Sequence, residues 1–280
     1  MRRRLIAILL CVVVAVLLVE ALGASGSKKL GVGTIDAGLR RALARDQEVQ
    51  NAARQERAID HLLESAPDVR EGSGNVREVA LTFDDGPGPY TPAILDTLIR
   101  HHVPATFFPV GFMIDDFPDS IRREIANGFA IGDHTENHPR LTTLSPESQE
   151  AELFDQAETH VRHGAPFPRL FRPPYGAYDA TTLEALRRHR MLMILWTVET
   201  GDYERPGDAA IVQHVLAGVH PGAIVLLHDG GGDRSETVAA LPEIIRALRA
   251  RKYRLVTVPQ LLLDDPPTAA TIPSPALLGD

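Results

Sequence analysis

From residue 76 onward, short apolar runs alternate with longer segments whose apolar residues recur at helical spacing. This alternation is typical of repeated βα units around a parallel sheet. Seven strands are predicted, centred on Leu81, Phe107, Ala130, Leu170, Ile194, Val225 and Val256. Six helices are predicted between them, at residues 91–101, 116–127, 146–163, 180–188, 208–217 and 237–251. The pattern fits a barrel with a missing or distorted unit, and an open doubly wound sheet would show the same alternation.

The segments on either side of this alternation have other patterns. Three arginines precede an apolar run at residues 5–19, and small residues follow near Ala24. This order is typical of a signal peptide or signal anchor over residues 1–24, so we expect an exported chain, either secreted or held in the membrane by residues 5–19. Residues 25–75 predict a helical stalk or linker, and residues 264–280 predict a disordered, Pro-rich tail. The main domain is then residues 76–263, placed outside the cell or in its envelope.

The amino-acid composition of the chain excludes some classes of function. The chain has 280 residues and 44% hydrophobic content, enough to fill a substantial core. Its net charge of −8 removes the electrostatic basis for nonspecific nucleic-acid binding and favours a neutral or cationic partner. The single cysteine, Cys11, lies in the N-terminal apolar run, so the main domain can form no disulfide.

Candidate chemistry begins with two adjacent carboxylates, Asp84 and Asp85, which close the first predicted strand. Farther along, His134 and His138 stand four positions apart and can face the same way from one turn of helix. Two imidazoles and one carboxylate leave positions on a divalent ion open for water and a carbonyl oxygen. Each motif alone also fits a simple turn or surface loop. Together they predict a metal hydrolase, with zinc, cobalt, nickel and iron all open as the metal.

The positions of the motifs support a single site. The Asp pair, the His pair, Arg172, Asp202 and His228 each follow a predicted strand. In a barrel, residues after parallel strands gather at the same C-terminal mouth. We therefore expect these side chains to meet there.

Several ordered motifs resemble those of the polysaccharide deacetylases, the NodB-homology family of carbohydrate esterases (carbohydrate esterase family 4). The resemblance spans residues 76–263. Its motifs are TFDDGP at residues 82–87, HTENH at 134–138, RPPY at 172–175 and LLH at 226–228. It implies an α/β fold of the deformed (β/α)7 barrel type. It also implies N-deacetylation of an N-acetylated polysaccharide, such as peptidoglycan or a chitin-like polymer, with a divalent metal ion, zinc first among the candidates.

The resemblance also implies roles for the two acids and the two histidines. Asp84 is similar to the catalytic base, and Asp85 to the metal-binding carboxylate. His134 and His138 are similar to the remaining metal ligands. Arg172 resembles the arginine that orients the base.

The remaining motifs supply the other parts of the site. Tyr175 resembles the residue whose backbone N–H stabilises the oxyanion. His228 resembles the general acid that protonates the departing amine, with Asp202 as the carboxylate that holds it. Leu226 and Tyr203 resemble the lining of the pocket for the acetyl methyl group.

The fourth motif departs from the family pattern, because Glu199 and Tyr203 stand where Asp and Trp are commoner. This difference bears on the shape and polarity of the pocket, and so on substrate choice. Two alternatives stay open: an esterase that removes O-acetyl groups from a xylan-type polysaccharide, and a non-catalytic carbohydrate-binding protein of the cell envelope. No motif reports the oligomeric state.

Overall fold

The computed structural model describes residues 32–66, 68–268 and 271. By its contacts, the chain divides into two units, residues 1–50 and residues 51–280. In the first unit, the described side chains from residue 38 onward lie on a polar helix and are exposed. The predicted signal segment lies outside the described residues. Within the described residues, no helix combines the length and the apolar character needed to cross a membrane.

The described elements alternate as the sequence pattern predicts. The helices are α1 (Val32–Ser65), α2 (Thr91–Arg100), α3 (Gly111–Asp116), α4 (Pro118–Ala126), α5 (Pro146–Arg162), α6 (Ala180–His189), α7 (Asp208–Gly218), α8 (Ser235–Ala250) and α9 (Val258–Asp264). The strands are β1 (Glu78–Asp84), β2 (Thr106–Phe108), β3 (Ala130–Ile131), β4 (Leu170–Phe171), β5 (Leu192–Met193), β6 (Val198–Glu199), β7 (Ala223–His228) and β8 (Arg254–Val256). Short 3-10 turns occur at Leu141–Thr143, Pro174–Gly176 and Asp202–Glu204.

The fold is α/β, and its strand pairing is mostly parallel. The larger sheet has the order β3-β2-β1-β7-β6, and β8 also pairs with β1. The smaller sheet pairs β4 with β5. Every residue of β1 and β7 is buried, as expected for parallel strands covered on both faces.

Isolated bridges connect the two sheets. Asp133 pairs with Phe171, which links the end of β3 to β4. Val69 pairs with Ile194 beside β5, and Glu71 pairs with Ala223 of β7. Residues 69–71 thus join the smaller sheet to the larger one. With the bridge at Asp133, the strands follow one another in a ring that is interrupted at these isolated bridges.

The folded domain reaches beyond residues 76–263 on both sides. Ile59, Leu62 and Val69 are buried in a core cluster that includes residues of β4, β5 and β8. At the other end, Asp265 is buried and accepts hydrogen bonds from Ser73 and Gly74. The second half of the predicted stalk and the start of the predicted tail are therefore parts of the domain. Within the rest of the tail, residues 269–270 and 272–280 lie outside the described residues.

Each predicted strand centre lies in a described strand or, for Ile194, directly after one. The pattern missed β6, α3 and α9. Helices of six and seven residues are too short to show a helical period. The pattern also joined residues 116 and 117 to α4, although the chain turns out of helical geometry at Phe117.

A buried histidine in α5 makes the fold sensitive to acid. His160 has no exposed surface, and burial, together with the nearby His163, lowers its pKa to about 3. In the unfolded chain His160 takes up a proton below pH ~6.5, whereas in the folded chain it does so only at about pH 3. The free energy of unfolding therefore falls as pH falls through this window. We expect His160→Gln to remove about 2 kcal/mol of the stability loss between pH ~7 and pH ~5, measured by urea unfolding. His163→Gln, at a more exposed histidine, is the control. If His160→Gln loses as much stability between pH ~7 and pH ~5 as the wild type, His160 is not the source of the acid sensitivity.

Candidate active site

One large cavity opens where the strands end in the described part of the chain, with a volume of about 1130 Å³. Asp84 and His228 end β1 and β7, and they are register partners, so they lie side by side at this opening. Two further sequence-predicted residues, Arg172 and Asp202, are buried and contact Asp84 and His228. The predicted residues that line the cavity are Asp84, Asp85, His134, His138, Tyr175, Tyr203, Leu226 and His228.

The alternation along β1 determines where Asp84 points. Val79, Leu81 and Phe83 pack into one core cluster, and Ala80 packs into another, against residues of the other strands. Successive side chains of a strand face opposite ways, so Asp84 shares the face of Ala80. The last residue of a fully buried strand thus presents a carboxylate to the cavity.

A buried arginine holds that carboxylate. Arg172 donates to Asp84 Oδ1 at 2.8 Å and to Thr82 Oγ1 at 2.7 Å. Its remaining nitrogens donate to the carbonyl oxygens of Ile194 and Leu195, at 3.1 and 3.2 Å. The guanidinium is therefore fixed by four acceptors, and the charge-assisted bond fixes the orientation of Asp84 in turn.

Asp85, His134 and His138 form a compact group whose ligand atoms all lie within 4.8 Å of one another. Asp85 Oδ1 is 3.1 Å from Nε2 of His138 and 3.4 Å from Nε2 of His134. Burial disfavours the ionised Asp85, but the two imidazoles, in their protonated form, outweigh burial and hold its pKa well below the usual range.

Two observations fit this group to a divalent metal ion. Asp85 Oδ1 is buried without a hydrogen-bond partner among the described residues, as a metal-ligating oxygen would be before the ion is added. His134 Nδ1 lies 2.6 Å from the carbonyl oxygen of Arg172, so it carries the proton and leaves Nε2 with a free lone pair facing the group. Such a hydrogen bond behind a ligating imidazole is the usual arrangement at metal sites.

The predicted turn of helix at residues 134–138 is wrong, because this segment is a loop. Thr135 and His138 have positive φ angles of 69° and 55°, outside the helical region. The Asp133 carboxylate accepts the backbone N–H of Thr135 at 2.8 Å, and Thr135 Oγ1 accepts that of His138 at 3.0 Å. These two bonds turn the chain so that both imidazoles reach Asp85, and they give Asp133 a structural position outside the ligand group.

A glycine-rich segment after β7 packs closely against Asp85. Gly231 has a φ angle of +72°, and a side chain on it would collide with the Asp85 carboxylate. The buried Arg234 donates to the carbonyl oxygens of Gly230 and Gly231, at 2.7 and 3.0 Å, and holds the segment in place. Sequence reasoning missed this support, although the run GGGD at residues 230–233 was a visible signal.

His228 is paired with a buried carboxylate. Its Nδ1 lies 2.7 Å from Asp202 Oδ1, and its backbone N–H donates to Asp202 Oδ2 at 2.8 Å. The hydroxyl groups of Thr200 and Thr237 also donate to Asp202, at 3.2 and 2.8 Å. Burial disfavours the charged imidazolium, but Asp202, with the nearby acids Asp84 and Asp85, raises the pKa of His228 above its usual value.

Two tyrosines flank the histidines. The Tyr175 ring lies edge-on to His138 at 4.8 Å between ring centroids, and its backbone has a positive φ of 60°. The Tyr203 ring lies edge-on to His228 at 5.5 Å. Its hydroxyl donates to Glu199 at 3.0 Å, and Glu199 is the register partner of Leu226. The two residues that depart from the family pattern are thus bonded to each other in the cavity wall.

The comparisons with known proteins agree with this geometry. The sequence model named polysaccharide deacetylase matches residues 71–194. A chitooligosaccharide deacetylase from Bradyrhizobium sp. (strain ANU 289) is 41% identical over 213 residues, covering 69% of this chain and 95% of the relative. The chain belongs to the polysaccharide deacetylase family. This deacetylase is therefore a hydrolase of carbon–nitrogen bonds other than peptide bonds.

Solved structures with the same fold include both a deacetylase and a pseudoenzyme. A peptidoglycan N-acetylglucosamine deacetylase, Bc1960, matches the deacetylase with a TM-score of 0.70 and 32% identity, over 74% of this chain and 98% of that one. A family 4 pseudoenzyme from Bacillus anthracis matches with a TM-score of 0.66 and 30% identity, over 71% of this chain and 69% of that one. Since the fold occurs both with and without activity, catalysis depends on the side chains of the site.

Proposed function

We propose that the protein removes acetyl groups from the N-acetylglucosamine units of a polysaccharide, either peptidoglycan or a chitin-like polymer, with the help of a divalent metal ion. The observation that carries the proposal is the arrangement of two separately supported groups around one cavity: Asp84 held by Arg172, and His228 held by Asp202. A base and an acid on neighbouring strands suit a reaction that takes one proton and returns another. The names of similar proteins, a chitooligosaccharide deacetylase and a peptidoglycan deacetylase, support the substrate class.

Asp85, His134 and His138 would hold the metal ion, and zinc is our first candidate for that mixed nitrogen and oxygen set. When bound, a divalent ion would polarise the substrate carbonyl and lower the pKa of water at the site.

The chain's own residues supply the proton transfers. Asp84 takes a proton from the attacking water, whose oxygen adds to the acetamide carbonyl carbon. The backbone N–H of Tyr175 donates to the oxyanion that forms. His228 then protonates the nitrogen as the carbon–nitrogen bond breaks, so acetate and a free amine leave.

The pH dependence of turnover tests the role of Asp202. A general acid must carry its proton, so activity is lost as pH rises through the pKa of His228. Asp202 raises that pKa, and Asp202→Asn removes the charge that raises it. We therefore expect the alkaline limb of the kcat/KM profile to move to lower pH in Asp202→Asn, while metal affinity is kept. If the alkaline limb does not shift in Asp202→Asn, the loss of activity at high pH does not come from the deprotonation of His228.

Export is part of the proposal and depends on the sequence of residues 1–24 alone. A polysaccharide of the cell envelope or of the surroundings would be reached only from outside the membrane. This part is tested separately by expressing the protein with residues 1–24 in place and measuring whether it is found in the medium, the membrane or the cytoplasm.

The substrate is tested by acetate release from chito-oligomers, from acetylated peptidoglycan and from acetylated xylan. We expect release from one or both amino-sugar substrates and little from xylan. Release chiefly from xylan would replace the proposal by an O-acetyl esterase. If metal is bound and no substrate releases acetate, a role in carbohydrate binding takes its place.

A further inference from the structure

Glu199 places a carboxylate in the catalytic cavity that the proposed reaction does not use. Three acidic residues line the cavity, and the other two have partners there: Asp84 is bound by Arg172, and Asp85 faces the two histidines of the candidate metal group. In the part of the chain that the structure describes, the Glu199 side chain has one hydrogen-bond partner, the Tyr203 hydroxyl, and no cationic side chain pairs with it. The cavity wall therefore carries a negative charge that no described side chain compensates.

Tyr203 fixes this carboxylate beside the general acid. The Tyr203 hydroxyl donates to Glu199 Oε1 at 3.0 Å, which leaves Oε2 available to a ligand. The Tyr203 ring lies edge-on to the His228 ring, with 5.5 Å between their centroids. Glu199 is also the register partner of Leu226, two residues before His228 on β7. Glu199 thus lies on the side of the cavity where His228 would protonate the departing amine.

The product of deacetylation carries the charge that this carboxylate lacks. Each acetyl group removed turns a neutral amide into a primary amine, and such an amine is mostly protonated at neutral pH, as an α-amino group is. An ammonium group donates a charge-assisted hydrogen bond to a carboxylate oxygen. The net charge of −8 on the chain favours the same kind of partner. A fully acetylated sugar offers Glu199 only neutral donors.

We propose that Glu199 binds the ammonium group of a glucosamine unit, the deacetylated form of the substrate sugar, and so gives the protein affinity for a polymer that is already partly deacetylated. This inference rests on the proposed function, because it requires an amino-sugar polymer as the substrate. The ammonium group belongs either to the unit just deacetylated or to another glucosamine unit of the same polymer, and the contact is the same for both. Such a contact holds the enzyme on a polymer that it has begun to deacetylate.

The test measures binding of the fully deacetylated glucosamine tetramer to the metal-loaded protein, by calorimetry at neutral pH and low salt. We expect Glu199→Gln to raise the dissociation constant about fivefold, as for the loss of one partly exposed ion pair. Glutamine keeps an oxygen that can accept the Tyr203 hydroxyl, so the shape of the wall is kept. Added salt should weaken binding to the wild type more than binding to Glu199→Gln, since salt screens exposed charges.

Glu204→Gln is the matched control. Glu204 is exposed on the same 3-10 turn as Tyr203 and lies outside the cavity, so this variant removes the same charge without the contact. It should leave the dissociation constant of the glucosamine tetramer unchanged. An equal rise in both variants, or no rise in Glu199→Gln, would overturn the contact. An equal rise in KM for the N-acetylated tetramer would also overturn it, because Glu199 would then bind the sugar without regard to the amine.

Glucosamine itself distinguishes the two sources of the ammonium group. If Glu199→Gln weakens binding of this monosaccharide as well, the contact belongs to the unit just deacetylated. If only the tetramer responds, the contact belongs to a neighbouring glucosamine unit. Calorimetry with these ligands needs no turnover, so its result is separate from that of the proposed function. Failure of the wild type to release acetate from any amino sugar would overturn the proposed function, whatever Glu199 binds.

Discussion

Replacing Asp84 by Asn is expected to lower kcat by about 10²- to 10⁴-fold, the usual contribution of a positioned base. Asn keeps the shape of the side chain and one oxygen for the hydrogen bond from Arg172, but it cannot take the proton of the attacking water. The group proposed to hold the metal ion contains Asp85 and not Asp84, so metal affinity should remain close to that of the wild type. Steady-state acetate release and metal binding by calorimetry, on the same preparation, check both halves of this prediction.

Asp96→Asn is the matched control for Asp84→Asn, because Asp96 forms an exposed ion pair with Arg123 outside the cavity. It should leave kcat and metal affinity unchanged. If Asp84→Asn keeps a rate near that of the wild type, another group is the base. If it loses the metal instead, Asp84 belongs to the ligand group.

Replacing His134 by Ala is expected to lower metal affinity by more than about 100-fold, beyond the 10- to 100-fold cost of losing a residue that only supports a ligand. The reason is that His134 presents its free Nε2 to the group, with its tautomer fixed by the Arg172 carbonyl. Acetate release should fall with metal occupancy. Metal content after dialysis against a weak chelator, measured by elemental analysis, gives the readout.

His220→Ala is the control for this second variant, because His220 pairs with Glu71 and lies outside the catalytic cavity. It should keep full metal content. Full metal content in His134→Ala, with the fold intact by circular dichroism, would remove His134 from the ligand group.

The strand pattern was enough to predict where Asp84 and His228 lie, at the mouth where the strands end, whereas their roles as base and acid came from the family resemblance. Asp84 and His228 follow long apolar runs, and such runs become central, fully buried strands. The sequence predicted that both residues gather at one mouth. That they lie side by side follows from the pairing of β1 with β7, which the structure shows. The prediction that Asp202 would reach His228 came from the family resemblance, and the two side chains are in contact.

The parts that were missed depend on contacts between distant segments. The loop at residues 134–138 has its shape because the side chains of Asp133 and Thr135 bond to backbone N–H groups, which a four-residue spacing cannot reveal. The joining of the two sheets by residues 69–71 depends on Ile194 and Ala223, far along the chain, and the segment itself is too short to show a strand pattern.

We propose that this site removes N-acetyl groups with a metal ion bound by Asp85, His134 and His138. The most direct measurement follows acetate and free amine together during incubation with N-acetylglucosamine tetramer, for metal-stripped protein and after stepwise addition of zinc. We predict negligible release without metal, recovery that saturates near one ion per chain, and equal amounts of acetate and amine. Undiminished release from fully stripped protein would show that the reaction needs no metal ion, and acetate without the matching amine would show that the bond broken is not an N-acetyl bond.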